Sequence, residues 1–226
     1  MLKPVHIVQG DPEVPAGVFA ALLNEWQVPF RILRPDLGEA LAEDSAAVIV
    51  LGGRMGVHDG AQHPFLGSVK EFIGRILANG TPLFGICLGG QLLAEVAGGE
   101  VASNLCGEKG LVDVILSAAV AADPLFTGID QRFLAFQWHN DSFTIPPGAV
   151  PLAGSAACPG QAFRTGNAWG VQFHPEVDST IVAAWSGHSP ARQALTAEFA
   201  AAEPAHRQLA RQLLGNFLTI AGLRGA

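Results

Sequence analysis

Over the first hundred residues, short apolar runs alternate with longer segments in which apolar positions recur every three or four residues. The runs predict strands near 4–9, 28–33, 47–51 and 82–86, and the periodic segments predict helices near 15–26, 64–78 and 89–97. Continuous rather than alternating apolar runs mark strands covered on both faces, and strands separated by helices imply parallel pairing with right-handed crossovers. The pattern then changes. Segments 111–116, 133–137, 150–154 and 161–164 read as strands joined by short turns containing Asp123-Pro124, Pro146-Pro147-Gly148 and Cys158-Pro159-Gly160. They predict a mixed or antiparallel extension of the sheet before a last core strand, Ala168 to Phe173, which ends at His174. From Thr180 onwards the chain reads as helical, and after Pro204 the residues Leu209, Leu213, Phe217 and Ile220 recur at helical spacing. The expected fold is α/β, an open, mostly parallel twisted sheet with helices on both faces, in one domain covering residues 1–226 with no internal repeat or linker.

Two stretches stand out against this frame. The predicted strand Thr81 to Ile86 runs directly into a helical pattern carrying Leu92, Leu93 and Val96, so Cys87 sits at a sharp strand-to-helix turn. Gly85 and Gly89 flank it at two residues on either side, removing side chains that would collide there. At a helix start the first N–H groups lack intrahelical acceptors and carry the positive end of the dipole, a setting that favours a thiolate. The N–H of Leu88 is placed to bind an oxyanion on a substrate carbonyl. A small buried cysteine is the ordinary alternative for such a residue, and the glycine frame argues against it.

The second stretch is Gln172-Phe173-His174-Pro175-Glu176. Proline after His174 forces an extended backbone, in which residues two apart project from the same face, so Glu176 reaches the His174 imidazole. A carboxylate on one ring nitrogen fixes the tautomer and leaves the other free to exchange a proton with a thiol and a leaving amine. Cys87, His174 and Glu176 thus supply a nucleophile, a base and its orienter. Gly52-Gly53, directly after the strand 47–51, offer further backbone donors with no Cβ in the way.

Composition narrows the partners. A net charge of −7 argues against nucleic acid or an anionic membrane surface, and no apolar stretch approaches the roughly 20 residues that cross a bilayer. The N-terminus enters the strand-like run Val5 to Val8 rather than a basic segment with a long apolar core, so no signal peptide is expected. Three cysteines, at 87, 106 and 158, form no Cys-x-x-Cys pair, and their odd number suits a reducing compartment. A cytoplasmic location follows as the expectation, with Cys106 and Cys158 structural. His58, Asp59 and His63 match no common ligand spacing and read as a solvated loop, and neither a metal nor a cofactor is expected.

Together with Val50 to Val57, Trp138-His139-Asn140-Asp141-Ser142-Phe143 and Gln161-Ala162-Phe163-Arg164, these motifs give a chain that resembles the class I glutamine amidotransferases, nearest to the amidotransferase domain of GMP synthase and its stand-alone relatives. The resemblance implies a flavodoxin-like sheet and cysteine-dependent hydrolysis of the glutamine side-chain amide through a γ-glutamyl thioester, releasing ammonia and glutamate. It places Cys87, His174 and Glu176 on the family's catalytic triad. It also makes Gly53 a second oxyanion donor beside Leu88, and puts Gly52, Gln91 and His139 at the substrate. The chain departs from its relatives at Arg54, where Pro is common, and at Asn140, where Gly is common. No phosphate-binding Gly-rich loop is present, so a synthetase using the ammonia would be a separate polypeptide. A γ-glutamyl peptidase would use the same thioester chemistry on a peptide or conjugate, and a non-enzymatic regulatory subunit would have no need of all three triad residues. A papain-like assignment fails on residue order.

Overall fold

The computed structural model describes residues 3–187 and 191–224. Positions 188–190, which the helical reading of the C-terminal part included, lie outside the described residues. In chain order the elements are β1 (Val5–Val8), α1 (Gly17–Glu25), β2 (Phe30–Leu33), β3 (Ala47–Val50), α2 (Phe65–Asn79), β4 (Leu83–Ile86) and α3 (Leu88–Val96). They continue as β5 (Val101–Ala102), β6 (Glu108–Leu116), β7 (Arg132–His139), β8 (Ser142–Phe143), β9 (Val150–Gly154), β10 (Ala162–Thr165), β11 (Ala168–Val171), α4 (Ser179–Trp185) and α5 (Arg192–Ile220).

Nine strands form one sheet in the order β2-β1-β3-β4-β11-β10-β9-β6-β7. Pairing is parallel from β2 through β11 and antiparallel from β11 to β7, so the expected extension is present and precedes His174. Strands β5 and β8 pair separately. Successive side chains of the central strands feed opposite faces. Val5, Ile7, Ala47, Ile49, Phe84 and Ile86 pack with α1 and the Leu209 to Leu218 part of α5, whereas Val8, Val48, Val50 and Leu83 pack with α2 and α3. Both faces of the parallel half are therefore dry, which is why its strands read as unbroken apolar runs.

Several boundaries differ from the sequence expectation. β6 starts at Glu108 rather than 111, and β7 runs over Arg132–His139 rather than 133–137. The helix α5 passes through Pro204 and begins at Arg192. No helix among the described residues is long and apolar enough to cross a membrane.

The topology places one crossing at the centre. β11 returns from the antiparallel excursion to lie parallel beside β4, with Val171 opposite Ile86. The residues that follow these two positions are Gln172 and Cys87, so the cysteine turn and the His-Pro-Glu segment leave the sheet side by side at its carboxyl edge, where open α/β sheets place their sites.

Close backbone packing holds this edge. A methyl group on Gly85 would lie 2.5 Å from the carbonyl oxygen of Gly89, and one on Gly89 would run into the carbonyl oxygen of Val50. The start of α3 thus rests directly on the end of β3. Gly89→Ala is expected to destabilise the protein by about 3 kcal/mol or more, because backbone rather than a flexible side chain must move. Urea denaturation measures this, and a midpoint equal to that of the parent would show that the contact yields at no cost.

Candidate active site

Cys87 caps α3 with φ 49° and ψ −110°, a backbone conformation that non-glycine residues rarely adopt and that surrounding structure must enforce. Its N–H donates to Val171 O at 2.8 Å and its carbonyl accepts the N–H of Gln91 at 2.8 Å, which ties the turn to β11 and to its own helix. Leu88 is the first residue of α3, so its N–H has no intrahelical acceptor. Gly53 lies against Leu88, whose Cδ2 would stand 2.9 Å from a Cβ at Gly53. A Cβ on Gly52 would come within 3.1 Å of His174 Cε1 and 3.5 Å of the Cys87 Cβ. The Gly52-Gly53 turn, Cys87 and His174 therefore share one small space.

His174 is buried and fixed on several sides. Its Nδ1 meets Glu176 Oε1 at 2.8 Å, its backbone N–H donates to Phe136 O at 2.9 Å, and its ring stands edge-on to Trp185 at 4.9 Å. Glu176 is fully buried, and its backbone carbonyl accepts the N–H of Val18 at 2.8 Å, anchoring the segment to α1. Burial by itself drives the His174 ring towards neutrality, but the charges of Glu176 and Cys87 outweigh it and the pKa is pushed up to about 10. At neutral pH the ring is an imidazolium.

Gln91 is buried, and its Nε2 donates to Asp141 O at 3.1 Å and to Gln172 Oε1 at 3.2 Å. His139 is buried in the cavity wall, with Nδ1 at 3.0 Å from Asp141 O and Nε2 facing Glu108 Oε2 at 3.4 Å. Desolvation holds its pKa below the usual histidine value. These residues line a cavity of about 500 Å³ together with Arg54, Lys109, Trp138 and Trp185.

Arg54 answers one question raised by the sequence. Its backbone N–H and its guanidinium both bond the buried Asp11 carboxylate, at 3.0 and 2.9 Å, and Nη1 meets Glu13 at 3.0 Å. The Gly52-Gly53 turn is thereby tied to the loop after β1. Burial alone would raise the Asp11 pKa, but the Arg54 bonds and backbone N–H groups hold it below the ordinary carboxylate value. Asn140 lines the cavity between His139 and Asp141. Elsewhere, His58 bonds Val101 O at 3.1 Å, and Asp59 accepts the N–H of Gly56 at 2.7 Å. Cys158 is buried against the Ser142 hydroxyl at 3.4 Å.

Three residues near the site carried no assignment from sequence. Gln172 donates through Nε2 to Cys87 Sγ at 3.5 Å. Trp185 packs on His174 and donates its indole N–H to Glu13 O at 2.7 Å. His206 of α5 is buried edge-on against Phe199 at 5.0 Å, and burial lowers its pKa to about 4 although it feels the charges of Glu176 and Glu203. Only Gln172 had a signal, its place inside the His-Pro-Glu motif.

Fold and site together define a class: an open α/β sheet with a strained cysteine at a strand-to-helix turn and a buried His–Glu pair leaving the neighbouring strand. The chain belongs to the class I glutamine amidotransferase family, whose model, described as Glutamine amidotransferase class-I, matches residues 20–184. It is 39% identical over 147 residues to a glutamine-hydrolyzing GMP synthase of Aeropyrum pernix, covering 64% of this chain and 26% of that protein. With one separately encoded subunit of the glutamine-hydrolyzing GMP synthase of Pyrococcus abyssi the identity is 31%, covering 64% of this chain and 73% of the relative. A solved glutamine amidotransferase of Thermotoga maritima superposes with a TM-score of 0.89 at 28% identity, covering 96% of this chain and 99% of that one. One from Methylobacillus flagellatus does so with a TM-score of 0.85 at 26% identity, covering 100% and 98%. The matched part spans only 20% to 30% of the first full-length GMP synthases.

Proposed function

We propose that the chain hydrolyses the side-chain amide of glutamine to glutamate and ammonia through a γ-glutamyl thioester on Cys87. The observation that carries this reading is the shared space of Cys87, His174 and Gly52, with Glu176 2.8 Å from the His174 ring. The proton rests on His174, and the Cys87 sulfur attacks the γ-carbonyl carbon as a thiolate. The carbonyl oxygen takes up negative charge, which the N–H groups of Gly53 and Leu88 receive. As the C–N bond breaks, His174 passes its proton to the departing amine. Water then attacks the thioester, giving its proton to His174, and the C–S bond breaks to restore the thiolate. Glu176 holds the imidazolium in place throughout. Gln91 and His139 shape the pocket for the substrate, with Gly52 leaving room for it. Family relatives named as individual subunits of GMP synthase support release of the ammonia to a separate synthetase polypeptide.

A second reading has its own support. The cavity of about 500 Å³ extends past Cys87 to Trp138, Lys109 and Trp185, which leaves space beyond the γ-amide for the amine part of a γ-glutamyl peptide or conjugate. Purified protein incubated with glutamine, and separately with γ-glutamyl dipeptides, decides between them. Glutamate and ammonia from glutamine are expected. Release of amino acid from the dipeptides with no hydrolysis of glutamine would replace the first reading by the second.

A further inference from the structure

Gln172 sits where β11 hands the chain to the His-Pro-Glu segment, fully buried, with its backbone N–H on Gln161 O at 2.9 Å. An amide side chain can present either a donor or an acceptor to a neighbour, and here the neighbours decide which. The carbonyl of Asp141 accepts at 3.0 Å from His139 Nδ1 and at 3.1 Å from Gln91 Nε2. A carbonyl only accepts, so the Gln91 end facing it is the NH₂ group. That same group reaches Gln172 at 3.2 Å, so Gln172 offers it Oε1. The other end of the Gln172 amide, Nε2, is then turned on Cys87 Sγ at 3.5 Å.

We propose that Gln172 is a catalytic residue, the hydrogen-bond donor to the nucleophilic sulfur, with Gln91 as the positioning residue that sets its orientation. A bond from an N–H to a charged sulfur is stronger than one to a neutral sulfur, so the donor favours the thiolate over the thiol and over the thioester. It acts twice in the proposed cycle. Before attack it keeps the sulfur ionised and directed away from the β11 side. During thioester hydrolysis it stabilises the sulfur as the group expelled, and a better-stabilised thiolate leaves faster. Gln91 is expected from the family resemblance to hold substrate, yet its donor arm is committed inside the protein to Asp141 and Gln172. Its contribution reaches the sulfur through a neighbour.

The kinetic part of this role rests on the thioester reaction proposed above, but the reactivity of the sulfur does not. Alkylation of Cys87 by iodoacetamide, followed by mass spectrometry with Cys106 and Cys158 as internal references, tests it without any substrate. Gln172→Glu keeps shape and the acceptor for Gln91 but removes the donor, and Gln172→Met removes both. At pH 7 both are expected to alkylate about ten-fold or more slowly than the parent, the lower end of what a hydrogen bond to a charged group is worth. Gln172→Glu is expected to be the slower. Gln91→Leu leaves Gln172 in place but unoriented, and a drop of about three-fold is expected, a readout that survives if the Gln172 variants fail to fold. Where the parent hydrolyses glutamine, the losses fall on kcat with KM within two-fold. Cys87 alkylation within two-fold of the parent in the folded Gln172 variants, or in Gln91→Leu if those do not fold, overturns the proposal. A parent that alkylates as expected but leaves glutamine intact overturns the glutaminase reading instead.

Discussion

Cys87→Ala abolishes glutamine hydrolysis, with a loss of at least about 10⁴-fold in kcat, while leaving the fold and its stability close to those of the parent. The size of the loss follows from removing the only atom that forms the covalent intermediate, since what remains is binding and oxyanion stabilisation without a nucleophile. The fold should survive for a local reason. Cys87 holds its place through backbone bonds from its N–H to Val171 and from Gln91 to its carbonyl, and its side chain contributes little apolar area to the core. Alanine also tolerates the strained φ of 49° about as poorly as cysteine does, so no strain is released. Ammonia release from glutamine, with thermal unfolding as the control for folding, measures both halves. A variant with parental rates would place the chemistry on another residue.

How much of this was legible in the sequence depends on how each feature is encoded. The parallel half was readable because strands covered on both faces leave continuous apolar runs, as Val48 to Val50 and Leu83 to Ile86 do. The ends of β6 and β7 were not, because Lys109, Asp113 and Arg132 lie on strands near the sheet edge where polar side chains reach solvent and break the pattern. Strands β5 and β8 are two residues each and carry no period at all. Pro204 read as the start of a helical segment, but α5 runs through it, with Glu203 bonded to Ser179 at the base of α4.

The site divides in the same way. The pairing of His174 with Glu176 is local, set by an extended backbone around one proline, and so was visible in five letters. The meeting of Cys87 with His174 depends on β11 returning beside β4 across more than eighty residues, which no local pattern records. Gln172 and Gln91 lie in the two motifs, but their contact appears only once those strands are neighbours. Trp185 and His206 approach from α4 and α5, outside any motif, through packing alone.

Glu176→Gln is the sharper test of the electrostatics, because it changes a charge and almost no shape. The substituted amide can still accept from His174 Nδ1 through its oxygen, so the 2.8 Å contact and the ring orientation are kept. What is lost is the carboxylate that, with Cys87, holds the His174 pKa near 10 against a burial that opposes it. The pKa should therefore fall, and ¹³C-labelled histidine followed by NMR across pH reads it directly. The consequences for stability have a definite sign. A histidine whose pKa is raised on folding contributes stability that is complete below its unfolded value of about 6.5 and is lost as pH rises through about 10. In Glu176→Gln that contribution shrinks, and the difference in urea midpoint between parent and variant is expected to be large near neutral pH and to narrow as the pH rises towards 10. Catalysis follows the same charge. With less of the ring protonated, the acid that must serve the departing amine is depleted, kcat is expected to fall by roughly 10³-fold or more, and the alkaline limb of the pH–rate profile moves to lower pH. A His174 titration that stays near pH 10 in the variant would mean that Glu176 is not what holds the proton on the ring.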